Sequence, residues 1–358
     1  MLTEGMPARA LGFKMTIREE VMSFLKKVCT LTAAVSAAAM LTTGAVSAKN
    51  FKIAVGDSAG SPQEATGKFF VAALEEKSGG EHTATLFLNG QLGSEQDTVN
   101  EAAIGTLDMS LLAINNVTPF SPTVGVFTLP YVILSLEDAE TLTQGPIGQE
   151  LTENTLRDAG VRIIAWTYTG FRRLTNSKKP VTTVADLQDL VIRVPKNEIM
   201  IETYKSWGIN PTPMAWSETF TGLQTKVVDG QDNPYMTINA MKFYEVQNHV
   251  TNLRYIFSIE PLIVSEAVFQ GLSEEDQKII LEAGQEATLK SAQFLRDSEA
   301  EIKEELTAKG MAIVDPENDE AEFIKLATDA VWPKFYDSIG GVEKMNAVLT
   351  AIGRDPVQ

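Results

Sequence analysis

From residue 49 onward, short apolar runs alternate with stretches in which apolar side chains recur every three or four residues. "FKIAVGDSAGSP" opens with a strand over Phe51–Val55 and runs into a Gly/Ser turn. Residues 62–78 have helical spacing, with Ala65, Phe69, Ala72 and Ala73 on one side and Glu75, Glu76 and Lys77 ahead of Gly79 and Gly80. A second strand and turn follow in "HTATLFLNGQLG", then a short helix over "SEQDTVNEAAIG" with Ser94 as its N-cap, and a third strand in "LDMSLLAI". Residues 136–160 predict another helix and "GVRIIAWTYTG" another strand. This alternation predicts an α/β fold with a largely parallel sheet covered by helices on both faces. Residues 272–309 predict one helix so long that it must cross more than one local core.

The first fifty residues follow a different pattern. Lys26 and Lys27 precede an uncharged, Ala-rich run from Val28 to about Thr43, and "AVSA" follows. Charge, apolar run and small residues in this order predict a secretory signal peptide cut after Ala48. The run is too short and too rich in Ala and Thr for a good membrane anchor, and no later stretch approaches the apolar length of a spanning helix. Glu4, Glu19 and Glu20 fit poorly in a signal n-region, so the expected start is Met15 or Met22. The single Cys, Cys29, lies inside this leader, so the mature chain is expected to lack disulfides, Cys-ligated metal and a Cys nucleophile.

Charge narrows the partners. The chain carries a net −17; removing residues 1–48, with five basic and three acidic side chains, takes it to −19. With no basic block in the mature part, nucleic acid and anionic membrane surfaces are poor partners. An acidic body repels anions at long range, so an anion site must be a local concentration of Arg and backbone N–H groups.

Such a concentration occurs between residues 166 and 235. In "DLQDLVIRVPKN", Arg193 sits within an apolar strand, and Pro195 then stops ladder pairing. An Arg at a strand's C-terminal end offers a rigid fork of donors where open α/β sheets bind ligands. The alternative is an internal ion pair with one of the mature chain's 44 acids. Arg172 and Arg173 follow another apolar strand and a Gly; adjacent residues in extended backbone point opposite ways, so one can face the sheet end while the other faces water. Trp216, just ahead of a helix expected to be capped by Ser217, is either core packing or a flat wall for a ligand. The amide of Asn233 suits a carboxylate oxygen or a hydroxyl, or else closes an Asx turn.

Taken together, "GFRRLTNSKKPVTTVADLQDLVIRVP", "PTPMAWSETFTGLQTKVVDGQDNP" and "KFYEVQNHVTN" resemble the DctP-type solute-binding proteins, periplasmic receptors of TRAP (tripartite, ATP-independent) transporters. The resemblance covers most of the mature chain, from "NGQLGSEQDTVNEAAIGTLDMS" through "FTLPYV" to the C-terminal helices. It implies an α/β two-lobed periplasmic-binding-protein fold (type II-like), each lobe a mixed sheet flanked by helices. Residues 49–170 and 258–298 would form lobe I and residues 171–257 lobe II, with C-terminal helices of residues 299–358 packing across both. It also implies that Arg193 forms a salt bridge with a ligand carboxylate. Arg172 (with Arg173 as alternate), Asn233, Trp216 and Glu95 take the family's other ligand positions. The implied partners are a small organic acid and two integral membrane subunits, one small and one large. No cofactor and no metal are implied, and a monomer is expected. Asp232 stands where the family commonly has Glu, and "LRYIFS" replaces a segment that often carries His or Asn, which leaves the far side of the pocket open.

An enzyme is the weaker alternative. His82 and His249 are the only histidines, too few for a His-rich zinc site, and the P-loop and dinucleotide motifs are missing. A receptor of an ATP-driven importer remains the other rival. C4-dicarboxylates, sugar acids and 2-oxo acids all fit a carboxylate anchor beside a Trp wall.

Overall fold

The computed structural model describes residues 48–357; the expected leader and alternative starts lie outside the described residues. In chain order the strands are β1 (Lys49–Val55), β2 (His82–Phe87), β3 (Met109–Leu111), β4 (Val161–Ala165), β5 (Tyr168–Phe171), β6 (Arg173–Asn176), β7 (Arg193–Val194), β8 (Thr212–Pro213), β9 (Gly230–Asn233), β10 (His249–Thr251), β11 (Phe257–Ile259), β12 (Leu262–Ser265) and β13 (Ala312–Val314). The helices are α1 (Pro62–Lys77), α2 (Glu95–Ala103), α3 (Leu136–Gln144), α4 (Pro146–Ala159), α5 (Glu198–Ser206), α6 (Trp216–Gln224), α7 (Tyr235–Ala240), α8 (Glu266–Gln270), α9 (Glu274–Ala308), α10 (Ala321–Ile339) and α11 (Val342–Ala351).

Two mixed sheets organise a two-lobed fold. The first has the order β2–β1–β3–β12–β4, with β1 parallel to β2 and β3 and with β12 antiparallel to both neighbours. Parallel pairing is thus confined to its N-terminal strands. β12 enters from the other sheet rather than from a crossover helix, so it runs the opposite way. The second sheet, β13–β10–β6–β9, is antiparallel except for the pair β10–β13. Between them the chain passes out along β5 and back along β11, which pair antiparallel. The edge strand β13 lies among the C-terminal helices; three residues are too few for a period to announce it.

Two other expectations need adjusting. The helix foreseen over residues 136–160 is two, because Pro146 cannot donate and starts α4 directly after Gly145. The strand around Arg193 shrinks to Arg193–Val194; Val191 is exposed, and Ile192 makes only an isolated bridge to Gly230.

The long helix α9 spans three apolar clusters, as its length requires. Ile280, Ala283 and Ala287 pack under the first sheet with Phe51 and Leu262. Ala292 and Leu295 join a central cluster with Tyr168 and Phe257, and Leu306 ends in a cluster with Leu223 and Tyr235 beside the second sheet. Small residues seat the helix closely: a Cβ on Gly284 would stand 1.9 Å from the carbonyl oxygen of Ile164 in β4. Gly284→Ala is therefore expected to destabilise the fold by about 1–3 kcal/mol, the usual cost of overpacking. Chemical denaturation measures this, and an unchanged midpoint would contradict the close seating of α9 on β4.

Candidate functional site

The C-terminal ends of β1, β3, β5, β7, β9 and β11 converge with the starts of α2 and α6 between the two sheets. They line a cleft with about 300 Å³ of atom-free space. Arg193, Arg172, Asn233, Trp216 and Glu95 all face it. Arg173 does not.

Arg193 is 2% exposed. β7 pairs parallel with β8, and Met214 N donates to Val194 O at 3.0 Å, which brings the carbonyl of Met214 beside the guanidinium. Arg193 Nε and Nη2 both donate to that oxygen, at 3.1 and 2.8 Å. The ring of Trp216 lies 5.5 Å from the guanidinium carbon. Among the described residues no carboxylate forms a salt bridge with it. Burial, and then repulsion from Arg172, lower its pKa to about 10, so it stays charged at neutral pH.

Arg172 is the opposite case. Its Nε forms a buried salt bridge with Asp232 Oδ2, and its Nη2 donates to the Asp232 carbonyl. Tyr255 donates its hydroxyl to the same carboxylate oxygen at 2.6 Å. Burial works against the charge of Arg172, but Asp232 outweighs it and raises the pKa. Arg173, pointing the other way from β6, donates to Leu253 O at 3.1 Å and meets Glu299 of α9 at 3.3 Å. Its guanidinium carbon lies 5.4 and 5.0 Å from the rings of Phe171 and Tyr235.

Trp216 is the first residue of α6; the N-cap is Ala215, not Ser217, with Glu218 reaching back to accept from Ala215 N at 3.2 Å. The indole Nε1 donates across the cleft to Asp57 Oδ1 at 2.9 Å. Asn197 Nδ2 donates to Asn115 O and Gln96 Nε2 to Lys196 O, both at 2.9 Å, so direct hydrogen bonds tie the two sides together. Asn233 ends β9 and donates to Gln231 Oε1 at 2.6 Å rather than closing an Asx turn. Gly230 lets β9 lie against β6, since a Cβ there would stand 2.2 Å from Thr175 O.

Glu95, capped by Ser94 as expected, accepts from Gln63 Nε2 at 3.3 Å, from Ala113 N at 3.4 Å and from Asn116 Nδ2. Two further acids share the cleft and were not foreseen: Asp57 and Glu260. Glu260 Oε1 accepts from Thr169 at 2.9 Å and Ser258 at 3.3 Å. The second oxygen of each, Asp57 Oδ2 and Glu260 Oε2, is buried without a partner, as are Asn115 Nδ2 and Thr237 Oγ1. Each of the two acids follows an apolar strand end, in "AVGD" and "FSIEP", the same signal that marks Arg193. Burial pushes Glu95 up to about 7, with Glu260 adding to it. Burial also raises Asp57 and Glu260, and for Asp57 the charges of Glu260 and Glu95 add to it.

The profile of "Bacterial extracellular solute-binding protein, family 7" (DctP) matches residues 53–338. Solute-binding protein RD1_1052 of Roseobacter denitrificans is 35% identical over 262 residues, 73% of this chain and 79% of its own. Its crystal structure with bound L-galactonate superimposes with a TM-score of 0.79, covering 86% of this chain and all of that one (100%). The sialic acid-binding periplasmic protein SiaP of Vibrio cholerae is 30% identical over 306 residues, 84% of this chain and 94% of its own. A TRAP periplasmic solute binding protein of Polaromonas, solved with D-erythronate, is 30% identical with a TM-score of 0.80, covering 84% of this chain and 98% of that chain.

The raised acids make a stability signature. A carboxyl whose pKa is raised by folding binds protons more tightly in the folded state. For Glu95 this contribution is therefore complete below the ordinary value of 4.5 and is lost as the pH rises through about 7. Glu260→Gln removes one raised acid and relieves the other two. Relative to the parent protein, its melting temperature is expected to increase from about pH 5 to about pH 8, with the variant more stable at the upper end. Parallel melting profiles of the two proteins would contradict the buried, mutually repelling acids.

Proposed function

The chain belongs to bacterial extracellular solute-binding protein family 7, the TRAP-transporter receptors, and is a binding protein for organic acids rather than an enzyme; on that premise we propose that it captures its ligand through a salt bridge between Arg193 and the ligand carboxylate. The observation that carries this reading is a fully buried guanidinium that donates to a carbonyl and forms no salt bridge with any carboxylate among the described residues. A carboxylate entering the cleft supplies two oxygens in the plane of the fork, a match that a single carbonyl cannot make. Closure of the lobes over it excludes water and strengthens the attraction.

Arg172 has a different part. Held by Asp232 and Tyr255, it keeps one edge toward the cleft and contributes positive potential, while Asp232 holds its side chain in place. Trp216 covers the anchor, and Asn233 and Glu95 bound the remaining space. The ligand is a small carboxylate in the range of C4-dicarboxylates, sugar acids and 2-oxo acids. The relatives solved with L-galactonate and D-erythronate support that range. The receptor works in the periplasm, exported by a signal peptide cut after Ala48, and delivers the acid as a monomer to a small and a large membrane subunit.

Arg193→Ala is expected to weaken binding of the cognate acid on the order of 100-fold or more, since it removes one partner of a buried charge pair. Calorimetry measures this, with circular dichroism confirming the fold; unchanged affinity would contradict the anchor. Arg193→Lys should fail nearly as badly, because a point charge cannot replace the planar fork. Trp216 fluorescence should respond to saturating ligand, and a silent titration that still releases heat would remove Trp216 from the site.

A further inference from the structure

A buried polar chain lies at the start of β1, the opposite end of that strand from the cleft. His82 is 1% exposed. Its Nδ1 accepts from the backbone nitrogen of Lys49 at 3.3 Å, and its Nε2 lies 2.8 Å from Asp276 Oδ1. Nδ1 accepts only when it carries no proton, so the ring proton sits on Nε2 and is donated to Asp276. Every member is held by its neighbours. Lys49 and His82 are the first pair in the parallel register of β1 with β2, and Phe51 packs edge-on against the imidazole at 5.9 Å. His82 N donates to Ser78 Oγ at 3.0 Å, at the C-cap of α1. Asp276 belongs to the first turn of α9, and its Oδ2 accepts from Ser273 Oγ at 2.7 Å. One imidazole thus joins the start of β1, the end of α1 and the start of α9.

Cleavage after Ala48 changes the chemistry of the first donor. Hydrolysis of the Ala48–Lys49 bond leaves a carboxylate on Ala48 and an amine on Lys49, which takes up a proton. An α-amino group ordinarily titrates near about 8, so the new N-terminus is mostly charged at pH 7. Lys49 is half-buried and Ala48 exposed, so the ammonium keeps contact with water while one N–H is aimed at His82. The charges around it suit a cation. Asp276 stands on the far side of the ring, and the lysine's own Nζ is already paired with Asp108 at 3.0 Å. A hydrogen bond from an ammonium is roughly twice as strong as one from an amide, and bonds in a chain polarise one another. The processed N-terminus therefore grips His82 more tightly than the same nitrogen does within a longer chain.

We propose that removal of the leader completes a charge-assisted chain, from the Lys49 α-ammonium through His82 to Asp276, which fastens the mature N-terminus to α9 and makes the processed form more stable than any form with residues ahead of Lys49. The proposal rests on cleavage after Ala48, as read above. None of the three residues lines the ligand cleft, so the device acts on the stability of the exported fold and leaves capture of the acid to Arg193.

The test compares two proteins released from a fusion partner, one beginning at Lys49 and one at Ala48, which differ by a single exposed residue. The Lys49 form is expected to melt about 2–4 °C higher at pH 7. The gap should persist in Lys49→Ala, which keeps the α-amino group and loses only the side-chain pair with Asp108. It should vanish in His82→Phe. Asp276→Asn, which keeps the size and removes the charge, should narrow it and serves where His82→Phe does not fold. Equal melting temperatures for the two starts, or a gap that survives both substitutions, overturn the chain while leaving the cleavage reading intact. N-terminal sequencing of the exported protein is the separate arm: a start other than Lys49 overturns the cleavage reading, and the proposal with it, whatever the gap.

Discussion

A charged side chain held out of water without a salt-bridge partner among the described residues is the constraint around which this molecule is arranged. Desolvating Arg193 is costly, and the Met214 carbonyl offsets only part of that cost. The surroundings keep it there. The β7–β8 pairing fixes Met214, Pro195 ends the strand so that the fork meets the cleft, and the Trp216 ring covers one face. Trp216 in turn is positioned by Asp57 from the other side. The two-lobed fold brings these groups together, and α9 and α10 pack clusters of both sheets along their length, which limits how the lobes can be arranged.

The two arginines of the cleft divide the electrostatic task. Arg172 is balanced within the protein by Asp232, with Tyr255 fixing the acid, so its charge is compensated although burial opposes it. Arg193 has no such partner, and burial and then repulsion from Arg172 lower its pKa. An acidic protein of net −17 can attract an anion only through such a local imbalance. The raised acids that share the cleft with it show that the cleft is not simply electropositive.

Much of this was legible in the chain. Arg193, Arg172, Trp216 and Asn233 sit within 62 residues and carry strand-end or helix-start signals. The opposite directions of Arg172 and Arg173 followed from extended backbone, although which one faced the cleft did not, and Arg173 is buried against Glu299 and Tyr235 rather than facing water as expected. The length of α9 announced that several cores meet. Other features depend on contacts that no local pattern encodes. Asp57 and Glu260 stand about 200 residues apart, each innocuous until β1 and β11 bring them to one cavity. The Arg172–Asp232 pair joins neighbouring strands β6 and β9 across a register that only the folded sheet defines. Short strands such as β7 and β13 have too few residues for a period, and the break at Gly145 came from a proline outweighed in the pattern by flanking helical spacing.

The most direct measurement is a crystal structure of the protein with its tightest-binding acid. The account predicts a carboxylate in the plane of the Arg193 guanidinium with both oxygens within hydrogen-bond distance of it, and the Arg172–Asp232 pair intact. A ligand whose carboxylate is held elsewhere, with Arg193 still donating only to the Met214 carbonyl, would contradict it.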